Sequence, residues 1–300
     1  MAGQEDEKIV VQSLIGGSQL PFYLRCLRSL VTFCQDRIEL QLHTDGSLSE
    51  KDKDFIHSEL TGTTVIITDS SENSSSVLDC LQGRPNCQKV RKDSIWGIEF
   101  FDPIFAFPKD PISFYLDADI LFLRPFSGLF DRNQVKDGAI FLKDTQWDAY
   151  CLRPWELIGP QPKPDVVKGI TTGLVFWDKS VIDWDYLEWF LGEKHLHRIP
   201  QWIMPTAQAG LAHRCEAKTI CPRQIPNLYP NAQIHEDTFG LHLLGSYRKE
   251  WMEKLEAREK NQIENLPTMA PSFERCVNQN ILGYSLKQII RWKNTRLDLW

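Results

Sequence analysis

The sequence predicts an α/β fold built from parallel βαβ units. Three observations carry that expectation. Short apolar runs alternate with stretches of helical period through the first half of the chain. The first run ends at Gly16-Gly17, where an open α/β sheet offers a ligand crevice beyond its strand ends. A length of 300 residues suits one large domain or two small ones.

Ile9 to Ile15 reads as a buried strand. A helix follows, with Pro21 placed to start it and Leu24, Leu27, Val31 and Cys34 recurring on one face. Ile38, Leu40 and Leu42 alternate with Glu39, Gln41 and His43, which predicts a strand with one wetter face. Ser47 to Glu50 has the form of a capping box ahead of a helix carrying Phe55 and Ile56. Thr63 to Ile67 reads as a third strand and Ser70 to Ser76 as a polar loop. The second half is less regular. Ala139 to Leu142, Gly173 to Phe176 and Gly240 to Leu244 have the composition of strands, and Gln161 to Pro164 that of a loop. Val181 to Leu191 has a helical spacing that buries Trp184, Leu187 and Phe190 or Leu191. Lys249 to Lys260 is charged and helical. Ile281 to Leu299 mixes apolar residues with Lys287, Arg291, Lys293 and Arg296. It reads either as a solvated face or as a basic amphipathic helix suited to peripheral membrane contact.

Hydrophobic residues at 42% and charged residues at 25% exclude disorder, collagen or coiled coil as descriptions of the whole chain. A net charge of −6 argues against a broad nucleic-acid or anionic-membrane binder. The eight cysteines include no Cys-x-x-Cys pair, so zinc-ribbon and thioredoxin spacings are absent. They read as reduced core thiols of a cytoplasmic protein, although Cys215 and Cys221 are near enough in sequence to pair. The acidic stretch Met1 to Lys8 has no apolar core and predicts no signal peptide. No run of about 18 apolar residues predicts a transmembrane segment.

The chemistry concentrates in Ile112 to Leu123, where Asp117 and Asp119 sit between apolar runs. Ionised carboxylates beside a core are costly unless paired or bound to a metal. Period-two geometry turns both to one side of an extended segment, and a hard divalent cation wants such oxygens. A second segment, Leu241 to Lys249, carries His242, Gly245 and Arg248. His242 offers a ring nitrogen, Gly245 permits close backbone approach, and Arg248 suits phosphate. Asp144, Asp148, Glu156 and Asp165 are candidate general bases, each otherwise a solvated loop acid. Trp147 and Trp155 sit in a loop-like stretch, free to stack on a ligand ring.

Together these segments resemble the GT-A nucleotide-sugar glycosyltransferases, especially the glycogenin-like family 8 group and its bacterial relatives. Tyr115 to Leu121 matches that family's wording around its Asp-x-Asp motif, here Asp117-Ala118-Asp119. Its later His-x-x-Gly-x-x-Lys motif resembles His242, Gly245 and Arg248, with Arg for Lys. The nucleobase-holding loop resembles Ser13 to Ser18, hence Leu14, Ile15 and Gly16. The strand lining the sugar pocket resembles Thr171 to Phe176, hence Thr172 and Gly173. The resemblance implies a Rossmann-like mixed sheet flanked by helices, with a nucleotide-sugar-binding and catalytic domain over residues 1–250. A C-terminal helical extension over 251–300 would pack on it. It also implies a metal-dependent hexosyltransferase that uses a UDP-sugar, UDP-glucose or UDP-galactose, and an acceptor that is a glycan, protein or small molecule. Asp117, Asp119 and His242 would hold Mn²⁺ or Mg²⁺, and Asp144, Gln208 and Arg248 would serve the transfer. Three departures stand out. Glu99 occupies a position where bacterial relatives carry Lys, with Arg91 or Lys92 as candidate replacements; Ala207 precedes Gln208 where an acid is usual; and Thr171-Thr172 precedes Gly173. A non-catalytic binding module on a decayed transferase scaffold is the alternative. A sugar-1-phosphate nucleotidyltransferase should open with a longer Gly-rich loop than Ile15 to Gln19 provides.

Overall fold

The computed structural model describes residues 8–259 and 266–297. Met1 to Glu7, the end of the Lys249 to Lys260 stretch, and Asp298 to Trp300 lie outside the described residues. The first half follows the expected alternation: β1 Ile9–Ile15, α1 Leu20–Phe33, β2 Ile38–Thr44, α2 Glu50–Glu59 and β3 Val65–Asp69. Three helices come next, α3 Ser74–Cys80, α4 Pro85–Asp93 and α5 Ile95–Phe105, then β4 Ile112–Leu116 and β5 Ile120–Phe122. The second half runs α6 Arg132–Val135, β6 Gly138–Lys143, β7 Ile170–Asp178, α7 Trp184–Gly192, α8 Ile203–His213 and β8 Glu216–Ile220. It ends with β9 Gly240–His242, α9 Arg248–Glu259, β10 Phe273–Arg275 and α10 Ile281–Leu297.

Among the described residues, eight strands form one mixed sheet in the order β10-β8-β6-β7-β4-β1-β2-β3. β1 pairs parallel with β2 and β4, and β2 pairs parallel with β3. β7 runs antiparallel between β4 and β6. β5 and β9 make a separate two-stranded antiparallel ribbon, with Ile120 opposite His242. Apolar residues cover both faces of the main sheet. On one, Leu24, Leu27 and Leu30 of α1 meet Leu40, Phe114, Ile140 and Phe176. On the other, Phe101 of α5 and Leu187 and Phe190 of α7 meet Phe141 and Trp177. This is the α/β architecture with helices on both faces that the alternation predicts.

Several local expectations shift. The capping box belongs to Ser49 and Asp52, not Ser47 and Glu50: the Ser49 hydroxyl accepts the Asp52 N–H while the Asp52 carboxylate accepts the Ser49 N–H. The polar loop after β3 is shorter, because Ser74 already lies in α3. The wetter face expected of β2 is confined to Glu39, which is half-buried and pairs with exposed Lys8: Gln41 and His43 are buried, the first donating to Thr68 and the second bonded to Gln12. The Gln12 amide in turn reaches Pro103 O and Ser113 Oγ, so polar partners inside the fold replace solvent. All eight cysteines are free, Cys215 and Cys221 included. The C-terminal part of the chain supplies helix α10 and also strand β10 to the main sheet. No helix among the described residues is long and apolar enough to cross a membrane.

Candidate metal and nucleotide site

The site forms where β4 ends and the β5/β9 ribbon begins. Asp117 and Asp119 are not on an extended strand as period-two spacing implied. They flank Ala118 in a turn between β4 and β5, closed by Ile120 N–H donating to Asp117 O. Backbone bonds hold both ends of that turn. Asp117 N–H donates to Gly173 O at 2.8 Å, and Leu243 N–H donates to Asp119 O at 3.0 Å. The second bond brings the end of β9 alongside, and with it His242.

The His242 Nε2 lies 3.3 Å from Asp119 Oδ1 and 3.9 Å from Asp117 Oδ2. One ligand atom from each of Asp117, Asp119 and His242 falls within 4.8 Å of the others, a spacing that a single ion can span. The other ring nitrogen is spoken for. Asn227 Nδ2 donates to Lys143 O at 3.2 Å, which turns Asn227 Oδ1 toward His242 Nδ1 at 2.7 Å. Nδ1 must therefore carry a proton, and the Nε2 lone pair faces carboxylate oxygens. Asp119 Oδ1 is buried and accepts no hydrogen bond from the described residues. Facing acceptors of this kind need a cation between them, either a proton or a metal ion, and an Asp/Asp/imidazole set suits Mn²⁺ or Mg²⁺. A histidine whose second nitrogen is held by a hydrogen-bond partner is the usual form of a metal ligand.

The electrostatics agree with that need. Burial pushes the Asp117 carboxyl up to about 7, and the Asp119 charge adds to the rise. Burial also opposes the Asp119 charge, but His242 and Arg248 outweigh it and hold that carboxyl below its usual range. Burial lowers His242, yet the two aspartates win and raise it. Without a metal, protons take the place that a cation would fill. Tyr115 donates its hydroxyl to Asp117 Oδ1 at 2.8 Å, and burial raises its own pKa.

Arg248 reaches the same cluster. Its Nη2 donates to Asp119 Oδ2 at 2.8 Å, its Nη1 to Gln19 Oε1, and its guanidinium sits 4.2 Å from the Phe22 ring centre. Gly173 makes room for the imidazole: a Cβ there would lie 2.7 Å from His242 Nε2. Gly16, half-buried at the end of β1 beside half-buried Leu14 and buried Ile15, is also tight, since a Cβ would stand 2.8 Å from Asp45 Oδ2. Thr172 is half-buried beside Gly173, whereas Gly245 is exposed with open space around its Cα.

The candidate bases sort into two kinds. Asp144 and Asp148 are buried, not solvated. Asp144, past the end of β6, accepts the N–H groups of Gln146 and Trp147 and the Tyr229 hydroxyl, and burial pushes it up to about 6. Asp148 is held by Gln279 and by Lys287 of α10. Glu156 pairs with Arg198 and Asp165 with Lys163. Trp147 is half-buried, and Trp155 is exposed beneath the Arg153 guanidinium. Arg91 does not replace the missing lysine, because it is buried against Asp102 and the Ser70 carbonyl; Lys92 is exposed. Glu99 lines a recess of about 10 Å³ with Tyr115, Trp177 and Gln208. Burial, then the charges of Asp117 and Asp119, raise its pKa well above the carboxylate range. Gln208 Oε1 and Trp177 Nε1 in that recess have no hydrogen-bond partner among the described residues. The sequence assigns no role to Asn227, Gln19, Phe22 or Tyr115, although Tyr115 falls within the Asp-x-Asp segment and Gln19 ends the Gly-rich loop.

No known family profile matches the chain, and no curated protein matches it. Solved structures do. The apo form of mouse xyloside xylosyltransferase 1 aligns with a TM-score of 0.53 at 11% identity, covering 78% of this chain and 97% of that one. An active-site mutant of LgtC aligns at 0.53 and 13% identity, covering 86% and 98%. The galactosyltransferase LgtC, in complex with donor and acceptor sugar analogs, aligns at 0.53 and 12% identity with the same coverage. Identities this low speak for architecture alone, and the architecture is the Rossmann-like GT-A fold shared with these glycosyltransferases.

Proposed function

We propose that the protein transfers a hexose from a UDP-sugar, UDP-glucose or UDP-galactose, to an acceptor in a reaction that depends on Mn²⁺ or Mg²⁺. One observation carries the reading: the Asp117, Asp119 and His242 ligand atoms converge beside Arg248, at the strand ends where a GT-A sheet binds its nucleotide. A divalent ion at that place supplies Lewis-acid neutralisation of the diphosphate leaving group. Asp117, Asp119 and His242 would hold it, with Asn227 fixing the imidazole. Arg248 would meet charge that develops on the leaving phosphate, held in place by Gln19 and Phe22. Leu14, Ile15 and Gly16 would take the nucleobase, and Ala118, Thr172, Gly173 and Gly245 would line the donor path. Asp144 and Gln208 would face the transferred sugar and its acceptor. Residues 1–250 would form the catalytic domain, and residues 251–300 its extension. Eight free thiols support a reducing, cytoplasmic setting.

One observation favours the alternative of a non-catalytic nucleotide-sugar binder. Glu99 places a third carboxyl near the aspartate pair, where a cation would assist the diphosphate. Two measurements separate the readings. Calorimetry should detect UDP binding that requires Mn²⁺ in the parent and is lost in Asp119→Ala. Retained Mn²⁺-dependent affinity in that variant removes the site. UDP release from UDP-glucose or UDP-galactose then marks an enzyme, and tight donor binding without release marks a binder.

A further inference from the structure

The C-terminal helix α10 is built inside out. Its inward side is fastened by Tyr284, which is fully buried and donates its hydroxyl to Leu152 O at 2.8 Å. Lys287 on the same side reaches Asp148 at 3.1 Å, and the Arg291 guanidinium lies 3.8 Å from the Trp202 ring centre. The outward side carries Leu282, Leu286, Ile289 and Ile290, which are 75%, 61%, 60% and 54% exposed. Their spacing of four, three and one places them on a single stripe. A helix at the surface of a water-soluble domain normally has the opposite arrangement, with apolar side chains toward the core. Val277, 60% exposed, precedes the stripe. The short helix Pro154–Leu157 packs beside α10 and bears exposed Trp155, with exposed Ile158 just after it.

The charge of this segment narrows the occupant. Between Cys276 and Leu297 the sequence has four basic residues, Lys287, Arg291, Lys293 and Arg296, and no acidic one, in a chain whose net charge is −6. A second copy docking through the same face would set two basic helices against each other, because a two-fold interface uses one patch twice. Lys287 and Arg291 are taken up on the inward side, whereas Lys293 and Arg296, four and seven positions past Ile289, fall in line with the outer stripe. An anionic bilayer surface meets both features at once, accepting the apolar stripe among its acyl chains and the cations at those two positions among its headgroups.

We propose that α10 lays its outer stripe into the surface of an anionic lipid bilayer, with Trp155 and Ile158 at the rim of the contact. Contact would hold the α10 side of the protein, including the Asp148 region, next to the lipid. The inference does not depend on the sugar-transfer reading.

Flotation of the full-length protein with vesicles tests it. One set is phosphatidylcholine alone, and the other is equal parts phosphatidylcholine and phosphatidylglycerol. The parent should float with the anionic vesicles, stay behind with the neutral ones, and lose binding as salt is raised. The double variant Leu286→Glu with Ile289→Glu should lower the partition at least tenfold while leaving the far-UV spectrum and thermal midpoint unchanged, since both sites are exposed. Two results would overturn the proposal. One is equal or absent binding to the two vesicle sets by the parent, which needs no variant to interpret. The other is a concentration-dependent dimer in sedimentation velocity that the double variant abolishes, with no vesicle binding by the parent.

Discussion

Asn227 governs what His242 can do. Its amide nitrogen is tied to Lys143 O, so its oxygen has to face the imidazole and the ring has to present Nε2 to the aspartates. Asn227→Leu removes that constraint with little change of volume. Mn²⁺ affinity should fall by about 10–100-fold, the usual effect of losing such a supporting hydrogen bond. Calorimetry reads it, and an affinity within twofold of the parent would mean that the tautomer is fixed by something else. Asp117, Asp119 and His242 were legible in the sequence because each stands against apolar neighbours, an expensive place for a charge without a purpose. Asn227 was not. It lies on an irregular stretch before β9, where no periodicity marks it. It reaches the imidazole only because His242 N–H bonds Pro226 O and Leu228 N–H bonds His242 O.

At the scale of elements, β7 sets the position of the imidazole. It runs antiparallel to β4, with Leu116 opposite Leu174, so its early residues lie beside the end of β4. Gly173 then stands against the His242 ring, and its carbonyl is pinned by Asp117 N–H. The backbone cannot retreat without breaking that bond. Gly173→Ala should therefore displace the imidazole, cost about 1–3 kcal/mol of stability from overpacking, and weaken Mn²⁺ binding more than Ala at exposed Gly245 does. Thermal unfolding and calorimetry on both variants measure the difference, and equal metal affinities would remove the steric role. β1 was legible to its last residue because a seven-residue, mostly apolar run closed by Gly16-Gly17 has few other readings. β8 was not: Glu216 to Ile220 is short and half polar, and its place comes from pairing with Gly138 to Phe141. The α2 cap lies two residues past the expected one because Ser47 and Ser49 both precede an acid three positions on, and local spacing cannot choose between them.

For the molecule as a whole, a buried histidine links stability to pH. His43 lies within the main sheet, with Nε2 3.0 Å from Gln12 Oε1 and Nδ1 without a partner. Burial, with a smaller contribution from the Arg91 charge, lowers its pKa from 6.5 to about 4. The native protein keeps this ring neutral while the unfolded chain protonates it below pH 6.5. Stability contributed here is thus present above about 6.5 and lost as pH falls toward about 4, by up to about 3 kcal/mol. Asp102 and Asp144, both raised to about 6, act in the opposite sense, so the comparison has to be made against a variant. In urea titrations His43→Gln should lose less stability than the parent between those pH values; parallel profiles would show that the ring is not responsible.

The antiparallel course of β7 also bears on the order of folding. Asp117 follows β4, Asp144 follows β6, and Gly173 belongs to the strand between them. No hairpin of strands consecutive in sequence pairs β4 with β7. Asp117 and Gly173 meet only when that pairing between distant parts of the chain has closed, and His242 joins them through the β5/β9 ribbon. Contacts of such high sequence separation form late and slowly. Acquisition of a metal-binding signal during refolding should thus mark completion of the sheet, well after helices such as α1 have formed from their own local sequence.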